Sequence, residues 1–335
     1  MFGSIYSLSR HTPANEIRSI LREHFACIRL QRADAFSDST QGRRELRNSA
    51  RKLLYAIEYF KPLVDYEHFD KAQGSLGVMI QALGEICDEE IFIKSLTKIE
   101  PEAPLGLLVG IKRLIEERKS YLASLVDNLA SLCDPTFQFL EATFLTGLDA
   151  LQLILGESVT LNQIACQIIS GCLDDMTSAS TALYRPSKTR TSHRLRISLR
   201  KLRYALALFS SYSETDLRAL STELNALHIT LGKLRDCDLK LNTLGDWLTE
   251  HHAQIHTRAD MTSEWQAAVW LMADIFEGRP KRYRNALAAG QDLLASAFAS
   301  RVANALVLPS VVEEVRTQIA DSSRLAIRTN QELRT

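Results

Sequence analysis

A chain of 335 residues, 46% of them hydrophobic, can bury a sizeable core and by length alone suggests two domains of about 150 residues, which excludes disordered and fibrous classes. Lysine plus arginine equals aspartate plus glutamate at 40 each, so no overall field draws the chain to nucleic acid or a membrane, and an anion site must come from local clustering. No eighteen-residue run is uncharged, Met1 to Thr12 lacks a secretion signal, and the six cysteines form no Cys-x-x-Cys pair, which together predict a cytoplasmic protein without membrane span, disulfide framework or zinc site.

Eight prolines punctuate segments whose apolar residues recur at three and four, so helices are predicted at 13–36, 40–60, 66–96, 104–132, 136–154, 160–183, 189–211, 214–248, 262–277, 280–305 and 309–333. Strict alternation is scarce, and the fold class is all-α with essentially no sheet. Thr12-Pro13 and Asp134-Pro135 each set an N-cap residue before a proline suited to the first helical position. Lys188–Thr191 and Glu250–Thr262 read as loops.

The second predicted helix returns later in the chain. Arg44–Phe60 aligns with His193–Phe209 at an offset of 149, with nine of seventeen positions identical, among them Arg47/Arg196, Arg51/Arg200, Lys52/Lys201 and Tyr55/Tyr204. The next helix repeats at offset 148 and carries Leu-Gly-x-x-x-Asp twice, as Leu83-Gly84 with Asp88 and Leu231-Gly232 with Asp236. A glycine inside such a helix costs about 1 kcal/mol against alanine, which predicts a close helix crossing there.

His193, Arg196, Arg200 and Arg203 are spaced three, four and three apart, a stripe about 15 Å long beside the apolar row Leu195, Leu199, Leu202, Leu206 and Phe209. The first copy repeats the stripe as Arg44, Arg47 and Arg51, with Leu54 at the fourth position. Seven lysines or arginines and no acid lie between Lys188 and Arg203, so like charges repel unless an anion lies opposite. Arginine's planar fork suits phosphate oxygens, and Lys201 adds a point charge. The competing view is that these arginines cover the surface and pair with carboxylates such as Asp88 and Asp236; a shared register of arginine and histidine argues for the anion. Tyr55 and Tyr204 read as core-edge aromatics and His228 as a satisfied helix histidine.

Chemistry elsewhere is thin. There is no Glu-x-x-His, no third aspartate after Asp174-Asp175 and no phosphate-cradling glycine loop, so no catalytic residue, cofactor or metal is expected. His252 and His256 could share a helix face as metal ligands but read as part of a solvated linker, and Asp88, Glu89 and Glu90 read as a solvated helix end.

His193-Arg194-Leu195-Arg196, Arg200-Lys201-Leu202-Arg203-Tyr204 and Leu231-Gly232-Lys233-Leu234-Arg235-Asp236 resemble the signature of the CHAD domain, the conserved histidine alpha-helical domain. The resemblance runs from about residue 13 to about 305. It implies two pseudo-symmetric four-helix bundles from an internal duplication, residues 12–155 and 156–308, with 309–335 a C-terminal helix or tail. It also implies a basic groove that binds inorganic polyphosphate without catalysis, in a protein found with polyphosphate granules. The positions carried over are Arg44, Arg47, Arg51 and Lys52 in the first half, and His193, Arg194, Arg196, Arg200, Lys201, Arg203, Lys233 and Arg235 in the second. Arg18, Arg22, Arg113, Arg118, Arg282 and Arg284 are outer contacts without motif support. The first half departs from the pattern with Arg44 for histidine, Leu54 for arginine, and Glu85 and Cys87 opposite Lys233 and Arg235. Nucleic-acid phosphate is the alternative ligand, and a phosphotransfer role for His193 ranks below it.

Overall fold

The computed structural model describes residues 12–37, 39–154, 159–185, 188–211, 217–252 and 261–306. The predicted helix 309–333 lies outside them, as does His256. The helices are α1 Pro13–Phe36, α2 Thr40–Phe60, α3 Phe69–Ile99, α4 Leu108–Phe139, α5 Leu145–Gly147, α6 Leu161–Ala179, α7 Thr189–Phe209, α8 Leu217–Glu223, α9 Asn225–His251, α10 Met261–Ala295 and α11 Phe298–Ala305. Among the described residues the only sheet is a two-residue ladder, Val64–Asp65 against Gln152–Leu153. No described helix is long and apolar enough to cross a membrane.

Local chemistry accounts for several ends. The Thr12 hydroxyl accepts from Asn15 N at 3.4 Å ahead of Pro13, and Ser39 accepts from Gly42 N at 2.9 Å. Thr160 and Gln163 form a reciprocal capping box at the head of α6. Lys188–Thr191, expected as a loop, instead supplies the first turn of α7, with Thr191 N bonding to Lys188 O.

Two prolines expected to start helices lie inside them. Helix α4 runs through Pro135 because Leu129 and Cys133 before it and Thr136 and Phe137 after it are buried on one face. A π-turn over Leu140–Phe144 follows it. Helix α10 runs through Pro280, tied on one side by Arg279 Nε donating to Asp238 Oδ1 at 2.7 Å and on the other by Tyr283 donating to Leu183 O. Such a proline removes one helical hydrogen bond, and the tertiary contacts outweigh that loss.

Helices α1 and α2 pack as neighbours, as do α6 and α7, and α3–α4 is matched by α9–α10. The buried side chains form two clusters, and each draws on both sides of residue 155. The larger joins Ile17, Phe25, Leu53 and Phe60 to Leu199, Leu206, Phe209 and Leu220. The smaller joins Phe92, Leu96, Ile111 and Leu114 to Trp247, Ala267, Leu271 and Ile275. The tightest crossing seats Gly110 of α4 against α10, where a Cβ would overlap the Ser263 carbonyl. Gly110→Ala is therefore expected to lower stability by about 1–3 kcal/mol, the usual cost of overpacking. A calorimetric melt checks this, and an unchanged melting temperature would mean that the two helices do not meet there.

Candidate anion-binding site

Helices α2 and α7 have 21 residues each and identical bounds at the sequence offset of 149, since Thr40–Phe60 corresponds to Thr189–Phe209. They lie side by side so that corresponding residues face one another. Phe60 meets Phe209 edge-on with centroids 6.1 Å apart, and Tyr55 meets Tyr204 at 5.5 Å. Further toward the N-termini, Arg51 and Arg200 repel one another, and so do Arg47 and Arg196. Pairs meeting in this order show that the two helices run in the same direction where they meet. Apolar and aromatic rungs close one end of the seam, and arginine rungs about 6 Å apart open the other. Arg44 and His193 hold the next register position, and Leu54 and Arg203 the one between arginines and tyrosines.

The arginines are crowded and short of partners. Among the described residues no carboxylate oxygen lies within 4.0 Å of Arg51, Arg196, Arg200 or Arg203. Arg200 is 8% exposed, and the Nε atoms of Arg47, Arg196 and Arg203 are sealed from solvent without a hydrogen-bond acceptor. Burial, then repulsion from Arg47 and Arg200, lowers Arg51 to about 9. Burial, then Arg200, lowers Arg196 to about 10, with Asp236 acting in the other direction. Arg203 is also lowered, first by burial. Buried charge that is hydrogen-bonded and paired is ordinary; buried charge without either marks a place completed by something else.

Helices α3 and α9 flank the seam. The glycines of the repeated Leu-Gly-x-x-x-Asp serve it in a way the sequence did not suggest: each faces the arginine side chain of a neighbouring helix. A Cβ at Gly84 would stand 2.8 Å from Arg47 Nη2, and one at Gly232 would stand 3.8 Å from Arg196 Nε. The aspartates diverge. Asp88 pairs with Arg47 at 3.3 Å, whereas Asp236 influences Arg196 without an ion pair. Arg47 thus partly serves the fold, as the carboxylate-pairing view anticipated.

Not every expected residue joins this cluster. Lys201 turns to α2, where Nζ pairs with Glu58 Oε2 at 2.6 Å and lies 5.6 Å from the Tyr55 ring. Lys52 stands beside a cavity of about 150 Å³ lined by His24, Tyr59 and Tyr204, and its charge, after burial, helps hold His24 down to about 4. Arg194 is on the outer face toward α6, in a cavity with Asp175 and Arg185. Lys233 lines a separate cavity of about 450 Å³ with Lys98, Lys240 and Arg282. Arg235 is adjacent to His193, and Arg44 lies near Cys87. Four of the outer arginines serve the fold. Arg18 donates to the carbonyls of Leu148, Asp149 and Leu151, Arg22 pairs with Asp149, Arg113 with Glu264 and Arg118 with Glu89.

One residue misread in the sequence belongs here. His228 of α9, taken for a satisfied helix histidine, has its Nδ1 buried without a partner, and Arg196, Arg203, Arg200 and Arg51 all act on it. Its position four before Gly232 was the available signal, because that spacing puts it on the face that cradles Arg196. Tyr55 and Tyr204 pack against each other with their rings tilted by 51°, and Tyr55 is buried.

A family model described as the CHAD domain matches residues 167–334, which is 168 of the 335 residues and includes His193–Arg203 and Lys233–Asp236. The crystal structure of the CHAD domain from the plant Ricinus communis has a similar fold, with a TM-score of 0.65 at 16% identity over 84% of this chain and 92% of that one. PptA from Streptomyces chartreusis matches with a TM-score of 0.59 at 18% identity over 83% of this chain and 97% of that one. No curated protein matches the chain. With half its length matched by the family model and an all-α fold shared with a solved member, the chain belongs to the CHAD domain family.

Proposed function

We propose that this protein is a non-catalytic, cytoplasmic binder of inorganic polyphosphate, held in the seam between α2 and α7. The observation that carries this reading is the run of facing arginines, Arg47 with Arg196 and Arg51 with Arg200, three of which have no carboxylate partner among the described residues. A linear polyanion presents an oxygen-bearing group at every step, so guanidinium forks on both walls can bind successive groups of one chain. The ligand's charge removes the repulsion that the free site carries.

Nucleic acid offers similar oxygens, but single-strand binding without sequence preference uses aromatic platforms, and the two tyrosines nearest the arginines pack against each other with their rings tilted by 51°. The test is a titration with long-chain polyphosphate at rising salt. Log affinity should fall linearly with log salt, by about 0.7 per neutralised phosphate on the single-strand scale, hence a slope near −3 for the four rung arginines. No binding at low salt sinks the reading. Displacement by single-stranded RNA at equal phosphate concentration would reassign the ligand.

A further inference from the structure

We infer that His228, together with His193, belongs to the anion site and takes up a proton from solvent when the polyanion binds. The inference rests on the polyanion reading above and adds a binding residue to it.

The geometry is that of two imidazoles inserted among cations. His228 is faced from α7 by Arg196, Arg200 and Arg203 and from α2 by Arg51, with no acid among the groups acting on it. His193 is faced from α9 by Arg235 and from its own helix by Arg196 and Arg200. The Nδ1 atoms of both rings are sealed off with no partner, while Nε2 of neither ring is enclosed in that way. Nε2 is therefore the nitrogen that each ring offers to a ligand: the neutral ring can donate its single N–H there, and a second proton adds the positive charge that a phosphate oxygen attracts.

In the free protein neither ring carries that second proton. Burial first, and then the arginines, holds His228 down to about 3, and His193 is lowered by burial, then Arg235, Arg196 and Arg200. Both are neutral at pH 7. A bound polyanion offsets the arginine charge and replaces repulsion with attraction, so both rings titrate at higher pH in the complex than in the free protein. Over the interval between those two values, binding consumes protons: solvent supplies H⁺, and the imidazolium N–H then donates to a phosphate oxygen. By linkage, affinity must rise as pH falls through that interval. The first copy cannot do this. Ile80 stands where the second has His228, and Arg44 stands where it has His193, so the proton-linked wall is the α7–α9 side alone.

Calorimetric titration with long-chain polyphosphate, whose interior groups do not titrate near neutral pH, measures the uptake directly. Run at pH 6.5 in two buffers of different ionisation heat, it should show a net uptake of between zero and two protons per site, reduced by His228→Gln and removed when His193→Gln is added. Where a variant does not fold, histidine NMR of the unmodified protein reads the same event as a change from imidazole to imidazolium shifts on adding polyphosphate at constant pH. Binding with no proton exchange, or uptake unchanged in the folded variants, overturns this inference and leaves the polyphosphate reading intact. No binding in either buffer at low salt overturns both.

Discussion

Exchanging Arg51 and Arg200 for methionine should lower polyphosphate affinity by about two to four orders of magnitude and, in the same protein, raise the melting temperature of the ligand-free form. The two effects have one cause. A hydrogen bond to a charged group is worth about 1.5–3 kcal/mol, so losing both guanidinium contacts costs about 3–6 kcal/mol of binding, at about 1.4 kcal/mol per decade. Without ligand, these buried cations repel one another and Arg51 is already lowered to about 9, so a flexible apolar side chain relieves a cost instead of leaving a hole. This is the usual exchange between function and stability. Affinity by calorimetry and melting by scanning calorimetry decide it. If stability falls along with affinity, these arginines belong to the fold.

Glu90→Ala should do the reverse, with about 3–5 kcal/mol lost from stability and little change in the affinity of the protein that remains folded. Glu90 Oε1 accepts from Arg43 Nε at 2.9 Å and Nη2 at 2.6 Å and from the Thr40 hydroxyl at 3.1 Å, and Arg43 also donates to Ser37 O at 3.0 Å. Arg43 is 4% exposed, so deleting its carboxylate leaves a full charge with no compensation in the α2–α3 contact. Chemical denaturation measures the loss. A change below 1 kcal/mol would mean that water reaches Arg43. Arg43 continues the apolar row of α2 and Arg200 lies one residue off that of α7, yet both are buried; the carboxylate opposite separates the structural one from the one left for a ligand.

That separation marks the limit of what could be read from residues alone. The bounds of α1 and α2 were legible because caps and apolar spacing act within a few residues, as at Thr12-Pro13 and Ser39. The basic row was legible because helical periodicity is local as well. That Arg47 faces Arg196 was not, since contact between residues 149 apart depends on how whole helices are seated. For the same reason Lys201 looked available until Glu58 on the other helix claimed it, and Arg194, carried over with the family signature, turns outward toward α6. Pro135 and Pro280 misled because the rule for proline speaks of one hydrogen bond, while burial around Pro135 and side-chain hydrogen bonds on both sides of Pro280 outweigh it. Gly84 and Gly232 do mark close approaches to a neighbouring helix, but what comes close is a guanidinium, which periodicity within one helix does not reveal.

The two apolar clusters, each drawing on residues from both sides of position 155, bear on how such a protein can change over generations. Because the frame is held by hydrophobic contacts common to both halves, it does not depend on which half carries a given charge. Cations can be lost from one wall, as Leu54, Glu85 and Cys87 illustrate, while the other wall stays in place and the seam keeps its shape. Such an arrangement tolerates lopsided drift: one side can specialise in holding the anion, with its histidines tuned by the arginines around them, while its partner is kept chiefly as the scaffold that keeps the seam open.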